Sequence, residues 1–223
     1  MGMYASSFGF DDADGEFILI YSLESNMARN VFISFRYEDG FSYKDTLTRL
    51  FSLDRDTVDF SEDVNRSWMS EETIRKYLYK KLRRSSVTIV LLTPLAVNHK
   101  RNWRGEYDDW MYDEIKYSLD DRDNNRTNGI VAVYTPEAAN MIVSSNSNNS
   151  ITVKNVDNLF RKNMMNVKPE YKRNPNPGEY DRDFDSYCSL ISWRDFVSNI
   201  GEYVDLAGKK RDVKDRYNIV KRL

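Results

Sequence analysis

The chain has 223 residues, enough for one large domain with extensions and a sizeable buried core. Its 33 Lys and Arg against 35 Asp and Glu leave a formal charge of −2, so no global field recruits nucleic acid, and nucleic acid is not an expected partner. One Cys and one His exclude an internal disulfide, a multi-cysteine metal knuckle and a histidine-built zinc cage, and they leave any Ser-His-Asp chemistry resting on His99.

No apolar run approaches the roughly 20 residues that span a bilayer, so no membrane partner is expected. The first ten residues lack a basic start, and Asp11, Asp12, Asp14 and Glu16 interrupt any apolar core, which argues against a signal peptide and for a cytoplasmic location. Residues 1–29 read as an N-terminal extension in which 17–21 could form an edge strand.

From Val31 the pattern becomes regular. Val31-Phe32-Ile33-Ser34-Phe35 is a short apolar run, followed by a polar loop from Arg36 to Gly40. Tyr43, Leu47, Leu50 and Phe51 share a helical face, and residues 57–60 form a weaker strand candidate. Ser70 reads as a helix N-cap with Glu71 and Glu72 at the positive end of the dipole, and Ile74, Leu78 and Leu82 as that helix's buried stripe. Val87-Thr88-Ile89-Val90-Leu91-Leu92 is the clearest buried strand, and Pro94 prevents its continuation. A third helix is expected over about 106–119, because Tyr107, Met111, Ile115 and Leu119 recur every four residues. Gly129 then opens the strand Ile130-Val131-Ala132-Val133-Tyr134. Unbroken apolar strands alternating with amphipathic helices argue for an α/β fold with a doubly wound, mainly parallel sheet.

The region 140–158 is rich in Asn and Ser and reads as a loop-like insertion, and Pro169, Pro175, Pro177 and Gly178 extend its irregular character to about 180. Residues 187–191 form a last strand candidate, leading at Trp193 into one helix carrying Phe196, Ile200, Tyr203 and Leu206. A basic tail, 208–223, reads as a solvated helix face. The expected organisation is therefore a domain over 30–207 flanked by two extensions.

In an open parallel sheet, ligands bind outside the carboxyl ends of the strands. The loops there hold neither G-x-G-x-x-G nor a P-loop, which excludes the usual dinucleotide and NTP cradles. They do lead into Trp110-Met111-Tyr112-Asp113-Glu114. At i and i+4, Trp110 and Glu114 share one helix face, an aromatic plate beside a carboxylate. That pair suits a ligand with a flat ring and a ribose, or cationic charge developing at an anomeric carbon. The bland alternative is a core-edge Trp and a solvated Glu.

The run from Val31 to Asp39 resembles the opening of TIR-like domains, Ser85 to Leu92 resembles their third strand, and Trp110-x-x-x-Glu114 is similar to the signature of bacterial TIR enzymes. In this order they look most like the bacterial TIR-like family that includes the NAD-consuming sensor subunit of the Thoeris anti-phage defence system. The resemblance covers about 30–134 and implies a flavodoxin-like or TIR-like fold. It implies cleavage of the nicotinamide–ribose bond of NAD, giving ADP-ribose or a cyclic isomer that signals to an effector. NAD is the substrate, with no further cofactor and no metal. It matches Glu114 to the catalytic glutamate and Trp110 to the stacking aromatic. Ser34, Phe35 and Arg36 match the end of the strand lining the nucleotide cleft and Asp39 falls in the loop beyond, so the resemblance implies substrate contacts from these four and Trp110. Self-association is the expected partner contact.

Alternatives remain. Glu106, three residues after Trp103, competes with Glu114, though Gly105 adjoins it. His99 reads as a surface residue and Cys188 as a small apolar residue of the last strand. A non-catalytic TIR-like interaction module, or a flavodoxin-like response module with an acidic metal pocket, would share the fold.

Overall fold

Short runs of β-branched and other apolar residues, each bounded by polar turns, make the strands of this chain. A computed structural model describes residues 29–53, 57–59, 71–97, 110–121, 126–145, 151–176 and 178–223. Its strands are β1 (Arg29–Ser34), β2 (Thr57–Asp59), β3 (Val87–Leu92), β4 (Gly129–Tyr134), β5 (Val143–Ser145), β6 (Ile151–Val153) and β7 (Cys188–Ser192). Five of them form one sheet in the order β2-β1-β3-β4-β7, every pairing parallel. The helices are α1 (Tyr37–Leu53), α2 (Glu71–Leu82), α3 (Pro94–Val97), α4 (Trp110–Leu119), α5 (Ala139–Ile142), α6 (Asn158–Lys162), α7 (Trp193–Ser198) and α8 (Ile200–Asp212). The expected doubly wound α/β architecture is the one observed, and no described helix is long and apolar enough to cross a membrane.

The two-residue period of the strands divides the core in two. Val31, Ile33, Val87, Ile89, Leu91, Val131, Val133 and Ile191 meet Leu47 and Phe51 of α1, Phe196 of α7, and Val204 and Ala207 of α8. On the opposite face Val90, Leu92, Ile130, Ala132, Cys188 and Leu190 meet Met111, Ile115 and Leu119 of α4, with Leu159 and Phe160 of α6. Both faces are covered, which is why β3 is buried along its whole length.

Four local expectations need correction. The loop expected from Arg36 to Gly40 is only Phe35 and Arg36; α1 starts at Tyr37, where Glu38 and Asp39 suit the positive end of its dipole. The described residues of the insertion are not a loop: they hold α5, the antiparallel strands β5 and β6, and α6, the last capped by Asp157 through the N–H groups of Leu159 and Phe160, while residues 146–150 lie outside the described residues. The helix from Trp193 is two helices, broken at Asn199 (φ −140°, ψ 43°). The basic tail is also no solvated face. Tyr217 is buried and its hydroxyl donates to the Phe184 carbonyl at 2.8 Å. The chain beyond it is laced to Asn163, which donates to the Val220 carbonyl and accepts from the Val220 N–H.

Lys210 of α8 is buried as well, with its ammonium hydrogen-bonded to Ser189 Oγ on β7. Burial pulls its pKa from 10.5 down to about 8, against the opposing pull of Asp183, Cys188, Asp181 and Asp185. The folded chain therefore sheds this proton earlier than the unfolded chain. Stability from this group rises as pH climbs from about 8 to 10.5, and below 8 the burial penalty is fully felt. That gap corresponds to about 3 kcal/mol, of which about 1 is offset when the Ser189 bond is lost. Lys210→Met is expected to gain about 1–2 kcal/mol in urea unfolding at pH 7, and that gain should vanish by about pH 10.5.

Candidate functional site

The sheet order dictates where a ligand fits. From β1 the chain turns through α1 to the edge strand β2, then crosses back through α2 to β3 on the other side of β1. The connections leave β1 and β3 in opposite directions, which opens a crevice at their carboxyl ends. Ser34 and Val90 are register partners at that point.

A polar contact sets the height of α4 against this crevice. Ser118 Oγ and Thr88 Oγ1 lie 2.8 Å apart in the buried layer between α4 and β3. Helix α4 returns antiparallel to the strands, as a crossover helix must. Four residues back along it, about 6 Å towards its N-terminus, is Glu114. Two residues up β3 from Thr88, about 6.6 Å, is Val90, with Ser34 beside it on β1. Glu114 and Ser34 thus reach the same level on the same side of the sheet. Glu114 is only 7% exposed, which overturns the reading of a solvated glutamate. Met111 and Ile115, its apolar neighbours on α4, form the floor. Ser34 is 1% exposed and its hydroxyl meets no hydrogen-bond partner among the described residues. A buried hydroxyl without a partner costs about 1–3 kcal/mol, so it marks a place where a ligand would supply one.

The other residues singled out in the sequence are distributed differently. Phe35 alternates to the opposite side and packs with the α1-face core beside Gly40. Arg36 is half-buried in the connection between β1 and α1. Asp39 lies in the first turn of α1 and both its oxygens are engaged: Oδ1 accepts from Thr93 Oγ1 at 2.7 Å and Oδ2 from the Leu95 N–H at 2.8 Å. Trp110 opens α4 one turn before Glu114, but its side chain lies outside the described residues, as do His99, Trp103 and Glu106. Thr93 escaped the sequence reading. A Thr before Pro94 at the first helical position is a capping signal, and its Oγ1 accepts from the Ala96 N–H.

Across the sheet the carboxyl edge is closed by aromatics. The Tyr43 hydroxyl donates to Glu137 at 2.6 Å and the Trp193 ring stands edge-on to Tyr43 at 4.7 Å. Burial and that carboxylate push the Tyr43 phenol up to about 12. The same hydrogen bond holds Glu137 below the ordinary carboxylate range. Cys188 is fully buried, and burial raises its thiol far above the range of a nucleophile, in keeping with its reading as a packing residue. Among the described residues no group of three or more His, Cys, Asp and Glu is placed to hold a metal.

The segment that builds β1, α1, β3, α4 and β4 is also the segment that a family model matches. The model is that of the TIR-like domain of the Thoeris protein ThsB, and the match runs from residue 32 to residue 140. It takes in Ser34, Asp39, Thr93 and Glu114, so the crevice lies wholly inside it. Residues 32–140 thus match the TIR-like domain of the Thoeris protein ThsB, a defence-associated family.

Proposed function

We propose that this domain cleaves the bond between nicotinamide and ribose in NAD. One observation carries the reading: the buried Ser34 hydroxyl at the switch point of the sheet meets no hydrogen-bond partner among the described residues, and helix and strand rises put the buried carboxylate Glu114 at its level.

The chemistry suits that pair. When the glycosidic bond breaks, its electron pair goes to the pyridinium nitrogen and nicotinamide departs neutral. Positive charge is left on the ribose as an oxocarbenium-like centre. A carboxylate in a largely dry crevice holds the ribose hydroxyls and faces that charge, where its field is far stronger than in water. Ser34 supplies a hydroxyl to the sugar. Trp110, one turn before Glu114, offers a plate for a ring, and Arg36 at the mouth faces the diphosphate. Attack by water releases a proton and gives ADP-ribose. Attack by a group of the same molecule gives a cyclic isomer, and exclusion of water selects between them. In this reading the product is a cytoplasmic nucleotide signal to an effector, and the active form is a self-associated one.

The test is direct. Incubation with NAD, with every product identified by mass, should show free nicotinamide and an ADP-ribose species. A protein that self-assembles yet leaves NAD intact under each condition would instead be a non-catalytic interaction module.

A further inference from the structure

Asp39 is a carboxylate at the rim of the crevice, where a ribose or an amide could use it, yet each of its two oxygens already accepts a hydrogen bond from the protein. Both donors come from a single stretch, Thr93 to Leu95, 54 and 56 residues away in the chain. Thr93 is fully buried and has two further bonds: its Oγ1 accepts from Ala96 N–H at 3.3 Å and its carbonyl from Val97 N–H at 3.1 Å. One carboxylate and one hydroxyl therefore order the start of α3, a helix of four residues too short to hold itself. Hydrogen bonds to a charged acceptor are among the stronger ones in a protein.

The consequence lies one step further along. Ala96 and Val97 of α3 are buried in the same apolar cluster as Met111 and Ile115, the residues on either side of Glu114. Packed interiors transmit displacement rather than absorb it. A shift of α3 would therefore be felt in the apolar cluster that also holds the neighbours of Glu114.

We infer that Asp39 and Thr93 form a positioning clamp for the crevice: Asp39 does not bind substrate but pins α3 to the first turn of α1, and so holds Glu114 in register with Ser34. This rests on the reading of the crevice as an NAD site. It gives Asp39 a different task from the substrate contact implied by family resemblance, and it adds Thr93.

A double-mutant cycle on the full chain tests it, with initial rates of nicotinamide release taken well below each variant's melting temperature. Asp39→Ala and Thr93→Val are each expected to lower kcat/KM about 10–100-fold, mostly in kcat, as small misplacements of reacting groups do. The double variant should be no worse than the poorer single one, because both remove the same tether. Thr93→Ser, which keeps the hydroxyl, should stay within about 3-fold of wild type. Hydrogen exchange at the Leu95 and Ala96 amides should rise at least about 10-fold in Asp39→Ala. Full kcat/KM in Thr93→Val, or losses that multiply in the double variant, would mean that Asp39 touches substrate itself, and the clamp would be wrong. Should Asp39→Ala not fold, Asp39→Asn takes its place, and unchanged exchange at Leu95 and Ala96 in it would also overturn the clamp. A wild type that releases no nicotinamide under any condition removes the NAD reading and this inference together, whereas an active wild type with an unaffected Thr93→Val removes the inference alone.

Discussion

Glu114→Gln should lower the rate of nicotinamide release by about 10²–10³-fold while leaving the fold intact. The size follows from what the carboxylate does in the proposed step. A single preorganised charge facing charge that develops in the transition state is worth about 2.7–4 kcal/mol, and glutamine keeps the shape and an acceptor but loses the charge. Stability should change little, because glutamine keeps the shape and hydrogen-bonding capacity of glutamate at this 7% exposed position. The pairing of lost rate with a nearly unchanged melting temperature separates chemistry from unfolding. Glu106→Gln is the control, since Glu106 is the other glutamate the sequence offers, and it should keep its rate within about 3-fold. If Glu106→Gln is dead and Glu114→Gln is active, the carboxylate has been assigned to the wrong residue. Initial rates of nicotinamide release, with circular-dichroism melts of all three proteins, decide between these outcomes.

Much of the scaffold around Glu114 was legible in the sequence because its signals are periodic. Val87 to Leu92 has no polar break but Thr88, so it could only be a strand covered on both faces, and all six residues are buried. Met111, Ile115 and Leu119 mark one stripe of a helix and form one stripe of the core. What periodicity cannot carry is a contact between two polar side chains far apart in the chain. Spacing alone left Glu114 open between crevice and solvent, and the Ser118–Thr88 contact is what fixes its level. The same gap hid the clamp. Arg36 to Gly40 reads as a polar turn because Asp and Gly are poor helix formers. Helix α1 nevertheless begins there, since Asp39 gains two strong bonds to Thr93 and Leu95 and Gly40 allows Phe35 to pack close. In the basic C-terminal stretch, charge masked the anchors. Tyr217 and Val220 are held by bonds that pair side chain with backbone, which leave no repeat to read.

Gly129→Ala is expected to destabilise the chain by about 3 kcal/mol or more. A β-carbon at Gly129 would overlap the backbone carbonyl of Ala207, where α8 crosses the start of β4. Neither partner has room to yield. Gly129 is the register partner of Val87 and its N–H donates to the Ser86 carbonyl at 3.0 Å. Helix α8 is in turn held by Val204 and Ala207 in the core. Relief would require lifting the helix, and with it the core contacts it makes under β1, β3 and β4. Gly208, the next residue along α8, provides the contrast. There the three atoms nearest an added β-carbon all belong to the Arg29 guanidinium, at 2.5–2.8 Å, the far end of a long side chain. Moving it sacrifices the Arg29 pairs with Asp205 and Asp212, each worth about 1 kcal/mol or less. Alanine regains about 1 kcal/mol of helix propensity, so Gly208→Ala should lie within about 1 kcal/mol of wild type. Urea unfolding of the two variants side by side reads the seating of α8 directly. A small effect at Gly129 with a large one at Gly208 would mean that α8 approaches the sheet through different residues, and the α1-face core would then have to be redrawn.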